Sequence, residues 1–513
     1  MFTVGGFTLM SRILGFVRDK LIGNYLGAGA AGDVWAAAFF IPNLFRRIFG
    51  EGAFNAAFVP MYSRRLEEDG EETADLFARR VITVMTLLLI GIFALCFVFM
   101  EPVVKLTNLG FTHEDGRLDA GVAAARVTIV YLIFICLVAA LSGILNSRRI
   151  FGAPAFAYVA LNIVFIVALI VFAPRAEDPL VVLTWSVVAA GIVQLAIVAY
   201  ACKRAGIRLS PRRPAIDEDV RRLGSLMAPG LVSAGIQQIN LIVGGTVASL
   251  VVGGRSLIYY ADRINQLPLG IIGMAAGVVL LPEITRNLRG GDESGARRSM
   301  ARGLEMSMLL TLPAMVAMIV IPREIMFAIF QGGEFAGKDA LAAGAVLQAF
   351  AIGTPAYVIA RVLQPGYFAR EDTRTPMNFT IATAVTNILL CWPLFIWLGP
   401  AGCALATSIA GWVNVVLLWI GLGRLGFLEM SPGFSGRMAR MLLSAVLMGA
   451  AVWGLARLGS TWILADGQFF LRMIALTILV AIGVVAYFAF VFALRVFSVS
   501  EVKNVLRRKG TGT

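Results

Sequence analysis

Histidine is almost missing from this chain: there is one, His113, in a polar loop. A lone histidine cannot build a typical zinc or haem centre, so it is expected to be a solvated loop residue. The five cysteines, Cys96, Cys136, Cys202, Cys391 and Cys403, are scattered through mostly apolar stretches with no CxxC pair. They are expected to be core residues, neither a disulfide framework nor a metal site, and no cofactor is expected. Charge is scarce as well: 15% of residues are charged, 59% are hydrophobic, and the mean hydropathy is +0.83. That excludes a soluble globular protein and indicates an all-α polytopic membrane protein. A cleavable leader is not expected, because the first helix carries arginines and is too polar for an h-region.

Apolar stretches of spanning length predict fourteen helices, over 3–24, 33–59, 81–101, 121–146, 154–173, 179–201, 224–250, 256–284, 303–321, 340–368, 377–398, 401–421, 437–456 and 471–495. The net charge of +13 could suggest a nucleic-acid partner, but its placement argues otherwise. Basic residues crowd into alternate loops. The sparse set holds only Lys105, Arg117, Arg175, Arg255, Arg323, Lys338, Arg457 and Arg472. The positive-inside rule then puts both termini in the cytoplasm and accounts for the charge without nucleic acid.

Two phosphate-binding patterns fail on context. Gly27-Ala-Gly-Ala-Ala-Gly32 fits GxGxxG but lies between two membrane helices, where a βαβ unit is required, and is expected to be a flexible turn. Gly332 to Lys338 fits GxxxxGK, but Asp339 stands where Ser or Thr must hold magnesium.

An internal repeat runs at an offset of 222 residues: Ser11 with Ser233, Asn43 with Asn265, Pro60 with Pro282, Arg64 with Arg286, Arg148 with Arg370 and Pro154 with Pro376. It predicts two six-helix lobes, 1–202 and 224–423, related by a pseudo-twofold axis and joined by a basic cytoplasmic linker, 203–223. Two extra helices (424–498) and a basic cytoplasmic tail (499–513) follow. Parallel repeats of this kind place substrate between the lobes and alternate access by rocking them.

Arg12 and Arg18 sit inside the first helix, Arg46 and Arg47 inside the second, and Arg263 inside the eighth. A charge at bilayer depth costs about 2.5–3.5 kcal/mol on insertion scales and survives mainly where it faces a polar interior. Several guanidinium groups together imply a water-filled cationic cavity, and a forked donor of fixed charge suits phosphate. The plainer reading is arginines that snorkel to headgroups or pair with Asp19, Glu51 or Asp262. Ser11, Asn43, Asn162, Gln237, Gln238 and Arg361 are further candidates for cavity lining. For the amides the alternative is interhelical hydrogen bonding.

Three segments, Ser11-Arg-Ile-Leu-Gly-Phe-Val-Arg-Asp19, Pro42-Asn-Leu-Phe-Arg-Arg-Ile-Phe-Gly-Glu-Gly-Ala-Phe54 and Phe58-Val-Pro60, resemble the signature of the MurJ (MviN) lipid II flippases, of the MOP exporter superfamily. Tyr259-Tyr-Ala-Asp-Arg263 and Leu363-Gln-Pro-Gly-Tyr-Phe-Ala-Arg370 are similar to that family's eighth and tenth helices. The resemblance implies transport of lipid II, the undecaprenyl-pyrophosphate-linked peptidoglycan precursor, across the bacterial inner membrane. It implies substrate binding by Arg12, Arg18, Arg46 and Arg263, gate and salt-bridge roles for Asp19, Arg47 and Glu51, and a lipid-tail groove at the last two helices. Asp262, beside Arg263, joins the gate and salt-bridge set. The expected partners are lipid II, membrane lipids and the peptidoglycan synthesis machinery, with the chain itself a monomer. Where some relatives have a glutamate this chain has Gln266, and helix 7 lacks the carboxylate of a sodium site, so the coupling ion stays open. The alternatives are a flippase for another polyprenyl-linked glycan of the O-antigen type, or a MATE-like cation/drug antiporter, which would be expected to use carboxylates. No nucleophile or acid/base constellation supports an enzyme.

Overall fold

The computed structural model describes residues 2–47, 54–207, 214–215, 217–428, 433–464 and 468–496, and their side chains except at 2–4, 56, 229–234, 236–237, 239–241 and 271–279. Glu51, the side chain of Gln237 and the basic tail 499–513 lie outside the described residues. Among the described residues every element is a helix. They are α1 (Phe2–Leu26), α2 (Ala30–Phe45), α3 (Phe54–Glu68), α4 (Gly70–Val98), α5 (Met100–Thr107), α6 (Arg117–Thr128), α7 (Tyr131–Ser147), α8 (Gly152–Val167), α9 (Pro179–Arg204) and α10 (Glu218–Ala248). Then come α11 (Gly254–Arg289), α12 (Glu293–Val320), α13 (Pro322–Phe330), α14 (Gly337–Phe368), α15 (Arg374–Leu398), α16 (Pro400–Arg424), α17 (Phe434–Leu458), α18 (Ser460–Ile463) and α19 (Phe469–Ala493).

Ten helical stretches among the described residues are long and apolar enough to cross a membrane. The expected spans at α1, α10 and α11 fall on helices of 25, 31 and 36 residues that are not among those ten. The second expected span, 33–59, falls on α2, which ends at Phe45, on a wider π-type turn that carries Arg46 and Arg47, and on α3, which starts at Phe54; residues 48–53 lie outside the described residues. Pro42 lies inside α2 just before the wider turn, and its ring removes a backbone donor and crowds the preceding turn. Elsewhere some helix starts are capped by an aspartate side chain. Asp178 accepts from Leu180 N at 2.8 Å, with Pro179 at the first helical position and Lys203 and Arg204 in the last turn. Asp292 caps α12 through Gly295 N at 2.7 Å, and that hydrogen bond holds its carboxyl below the usual carboxylate range.

The chain forms two compact units. The first is Met1–Ser256 together with Gly333–Phe335, and the second is Leu257–Gly332 with Ala336–Thr513. In the first, α8 packs against α1 and α9, and α2 against α6. One apolar core runs through it, with Trp35, Phe58, Tyr62, Tyr131 and Phe165 fully buried. The unit boundary follows α10, whereas the repeat divides before it. The reason is local: α10 is tied down at both ends. Asp217 and Asp219 at its start accept from Arg80 and Arg65 at 2.6 and 2.5 Å. At its far end Thr246 Oγ donates to Thr107 O at 2.9 Å. In the second unit α14 packs on α12 and α16, and α17 on α12 and α19. A buried pair, Arg437 on α17 with Glu305 on α12, closes at 2.6 Å.

Candidate functional site

The first unit gathers four of the predicted residues into one buried network between α1 and α8. Arg18 is 8% exposed and Asp19 5%. The Arg18 Nε and Nη2 both donate to Asp19 Oδ1, at 3.0 and 2.8 Å, and Nη1 donates to Asn162 Oδ1 at 3.0 Å. Asn162 in turn donates through Nδ2 to Ser11 O, Ser11 Oγ and Tyr158 O, at 3.0, 3.2 and 3.1 Å. The guanidinium also lies over the Phe165 ring, 5.5 Å from its centroid. Three of the five N–H groups of Arg18 are thereby engaged, and the other two have no partner among the described residues. The ion pair offsets part of the cost of burial, and with Asn162 it fixes the direction of the guanidinium.

The pivot of this network is Asn162. Its replacement by Ala strands a guanidinium N–H and removes the donor to Ser11 O and Oγ, and is expected to cost about 1–3 kcal/mol. A fall in the thermal midpoint in detergent, with a smaller loss of transport than for Arg18 variants, is the expected pattern; an unchanged midpoint would count against it.

Arg46 lies in the turn after Pro42, where its Nε donates to Asn43 Oδ1 at 3.1 Å. Asn43 is itself fixed by Nδ2 donating to Phe39 O at 3.0 Å. Wide turns of this kind present side chains that a regular helix would direct elsewhere. Arg12 is exposed on α1, and Arg47 is half-buried. Gln238 is buried on α10, and its Oε1 has no hydrogen-bond partner among the described residues.

The second unit carries its own set. Arg263 and Asp262 are half-buried on α11. The guanidinium of Arg263 lies over Tyr259, 4.7 Å from the ring centroid. Asp262 Oδ1 accepts from Gln266 Nε2 at 3.2 Å. Arg361 reaches from α14 to donate to Leu269 O at 3.1 Å, beside Pro268. Asn265, the repeat counterpart of Asn43, is buried and accepts from Thr354 Oγ at 2.6 Å. On α15 the Thr383 and Thr386 hydroxyls donate to their own helix, at Phe379 O and Ala382 O.

Sequence reasoning missed several buried charges in the first unit, among them Lys20, Asp33 and Arg117. Lys20, 8% exposed, donates to Asn24 Oδ1 at 2.7 Å. Asp33, at the start of α2, has no exposed surface and pairs with the buried Arg117 at 3.2 Å. Arg117 had read as an ordinary loop charge. The repeat offset held a usable signal, since Asp33 falls opposite Arg255, another buried charge at a helix start.

Comparisons with known proteins bear on the family. A family model described as lipid II flippase MurJ matches residues 22–474. A probable lipid II flippase MurJ of Rhizobium tropici is 38% identical over 511 residues, covering 99% of this chain and 96% of that protein. One from Vibrio cholerae is 34% identical, covering 96% and 95%. The solved structure of a lipid II flippase MurJ in an inward closed conformation superposes with a TM-score of 0.80 at 25% identity, covering 96% of this chain and 99% of that one. An inward-facing multidrug resistance MATE transporter of the MOP superfamily gives 0.67 at 17% identity, covering 81% and 94%, and so shares the fold. By its sequence matches from end to end, this multi-pass membrane protein belongs to the MurJ family of lipid II flippases.

Proposed function

We propose that this chain carries lipid II from the cytoplasmic to the periplasmic leaflet of the bacterial inner membrane by alternating access, as a transporter and not an enzyme. The observation that carries the reading is Arg18: a buried, pre-aimed guanidinium with two N–H groups to spare, inside an apolar helix. It suits the pyrophosphate, and we assign Arg12, Arg46 and Arg263 to the same anionic headgroup. Asp19, Arg47, Glu51 and Asp262 are assigned to charge balance and gating. The loop charges support fourteen spans with both termini cytoplasmic. We read 1–202 and 224–423 as the rocking lobes and the helices of 424–498 as the surface for the polyprenyl tail. The chain works as a monomer and hands its cargo to the peptidoglycan synthesis machinery. Membrane potential is a fitting drive, because one charge crossing 100 mV is worth about 2.3 kcal/mol. Transport that persists after the potential is abolished would remove that step.

The test is rescue. In cells depleted of their own flippase, this chain is expected to restore outer-leaflet exposure of lipid II. Good insertion without restored exposure would transfer the reading to another polyprenyl-pyrophosphate glycan, which carries the same anionic group.

A further inference from the structure

Phe165 lies on α8 about one turn beyond Asn162, so the two side chains share a face of that helix. Both meet Arg18. Asn162 accepts from Nη1, and Phe165 covers one face of the guanidinium, with Cζ 5.5 Å from the ring centroid. Asp19 closes the edge formed by Nε and Nη2. The group is thus held on three sides, by two polar partners and one aromatic ring. The negative face of a benzene ring attracts a cation. A guanidinium is weakly hydrated on its faces, so this contact costs little desolvation. Phe165 has no exposed surface of its own.

The ring is itself braced from α2. Trp35 and Phe39 are four residues apart on one face of that helix, and they stack with centroids 4.9 Å apart and planes 10° apart. Each meets Phe165 in an edge-to-face contact, at 6.0 Å and 67° for Trp35 and at 6.0 Å and 65° for Phe39. All three rings are buried. The indole contributes ring surface alone: Trp35 Nε1 is buried and has no hydrogen-bond partner among the described residues. Through this triad α2 fixes the floor on which the Arg18 guanidinium rests.

We propose that Phe165 is a positioning residue of the anion site: braced by Trp35 and Phe39, its ring sets the plane in which Arg18 presents its remaining N–H groups to a pyrophosphate. The inference rests on the transport reading above and deepens it, because Phe165 touches Arg18 and not the cargo. A guanidinium forms its paired hydrogen bonds to phosphate when its N–H groups and the phosphate oxygens share a plane. Asp19 and Asn162 hold the group along its edge and leave it free to tilt. A ring against one face removes that tilt. It also keeps water off that face, and the lower local dielectric strengthens the attraction for an anion at the open edge.

The test is a binding cycle with geranyl pyrophosphate, a soluble prenyl pyrophosphate, on the purified chain in detergent. Phe165→Leu keeps the apolar bulk and removes the ring face, and its affinity is expected to fall about tenfold, the size of a shielded cation–π contact. Phe165→Tyr keeps the face and should stay within about threefold of wild type. In an Arg18→Lys background Phe165→Leu should change affinity by less than about twofold, because no planar group is left to orient. A second readout needs no cargo. Phenylglyoxal modification of Arg18, followed by mass spectrometry of its peptide, should accelerate in Phe165→Leu and not in Phe165→Tyr. Where Phe165→Leu lowers the thermal midpoint too far for binding to be read, Phe39→Leu loosens the brace from α2 and is expected to move both readouts in the same direction. Unchanged affinity and reactivity in Phe165→Leu would overturn the proposal. So would an equal fold-loss in both backgrounds, which would mean that the ring acts through packing and not through Arg18. Absence of binding by the unsubstituted chain would count against pyrophosphate as the recognised group, while the reactivity of Arg18 would still decide whether Phe165 positions it.

Discussion

Arg18→Lys is expected to abolish lipid II exposure almost as fully as Arg18→Ala, although it keeps the charge. The wild-type side chain spends three N–H groups on two partners in different directions, Asp19 and Asn162, and still has two left. An ammonium is a compact point charge, and it cannot hold that geometry and present a fork to a pyrophosphate together. The Ala variant carries a second penalty. It leaves Asp19 as a buried carboxylate without its partner, a change that typically costs about 3–5 kcal/mol. Transport must therefore be normalised to inserted protein, and the Lys variant is the cleaner comparison. Arg12, on the exposed face of the same helix, supplies an informative contrast. Arg12→Lys is expected to retain most transport if long-range attraction is the main contribution there. Wild-type exposure by Arg18→Lys would reduce Arg18 to a source of charge.

That contrast shows what a sequence can and cannot display. Arg18 and Asp19 stand out because charges inside an apolar helix are costly, and Asn162 because it interrupts an apolar run. Nothing in their spacing joins Arg18 to Asn162, which lies 144 residues away, because only the packing of α1 on α8 brings them together. Ten of the helical spans were legible from apolar length, and the wider turn at Arg46 and Arg47 was not, since proline in a membrane helix fits several local geometries. The repeat led to an expected division before α10 and held no sign of the attachment of α10 to the first unit, which depends on ion pairs such as Arg80 with Asp217. The Gly27–Gly32 motif was legible as a turn, whereas the neighbouring Glu334 N–H to Asn24 O contact joins segments about three hundred residues apart. Asp33 and Arg117 escaped notice for a related reason: each stands at a helix end, where charge is ordinary, and burial is a property of the fold.

Asp33→Ala is expected to be the most destabilising single substitution in the first unit. The carboxylate has no exposed surface and accepts from Gly253 N at 2.7 Å, Ser256 N at 2.8 Å, Ser256 Oγ at 3.0 Å and Arg117 Nη1 at 3.2 Å. Two of these donors are backbone N–H groups at the start of α11, so Asp33 on α2 caps another helix in trans, with its charge at the positive end of that dipole. Truncation orphans both N–H groups and removes a counter-charge from Arg117, which is 4% exposed and keeps Asp115 as its other carboxylate. Loss of one partner from such a pair costs about 3–5 kcal/mol. A large drop in thermal midpoint in detergent is the expected result, with transport lost at growth temperature. Asp33→Asn with Arg117→Met removes both charges and keeps an acceptor for α11. It should recover part of the loss, so that the double variant is more stable than the summed single effects predict. Additive effects, or an unchanged midpoint in Asp33→Ala, would mean that α11 is held by its packing and not by this cap.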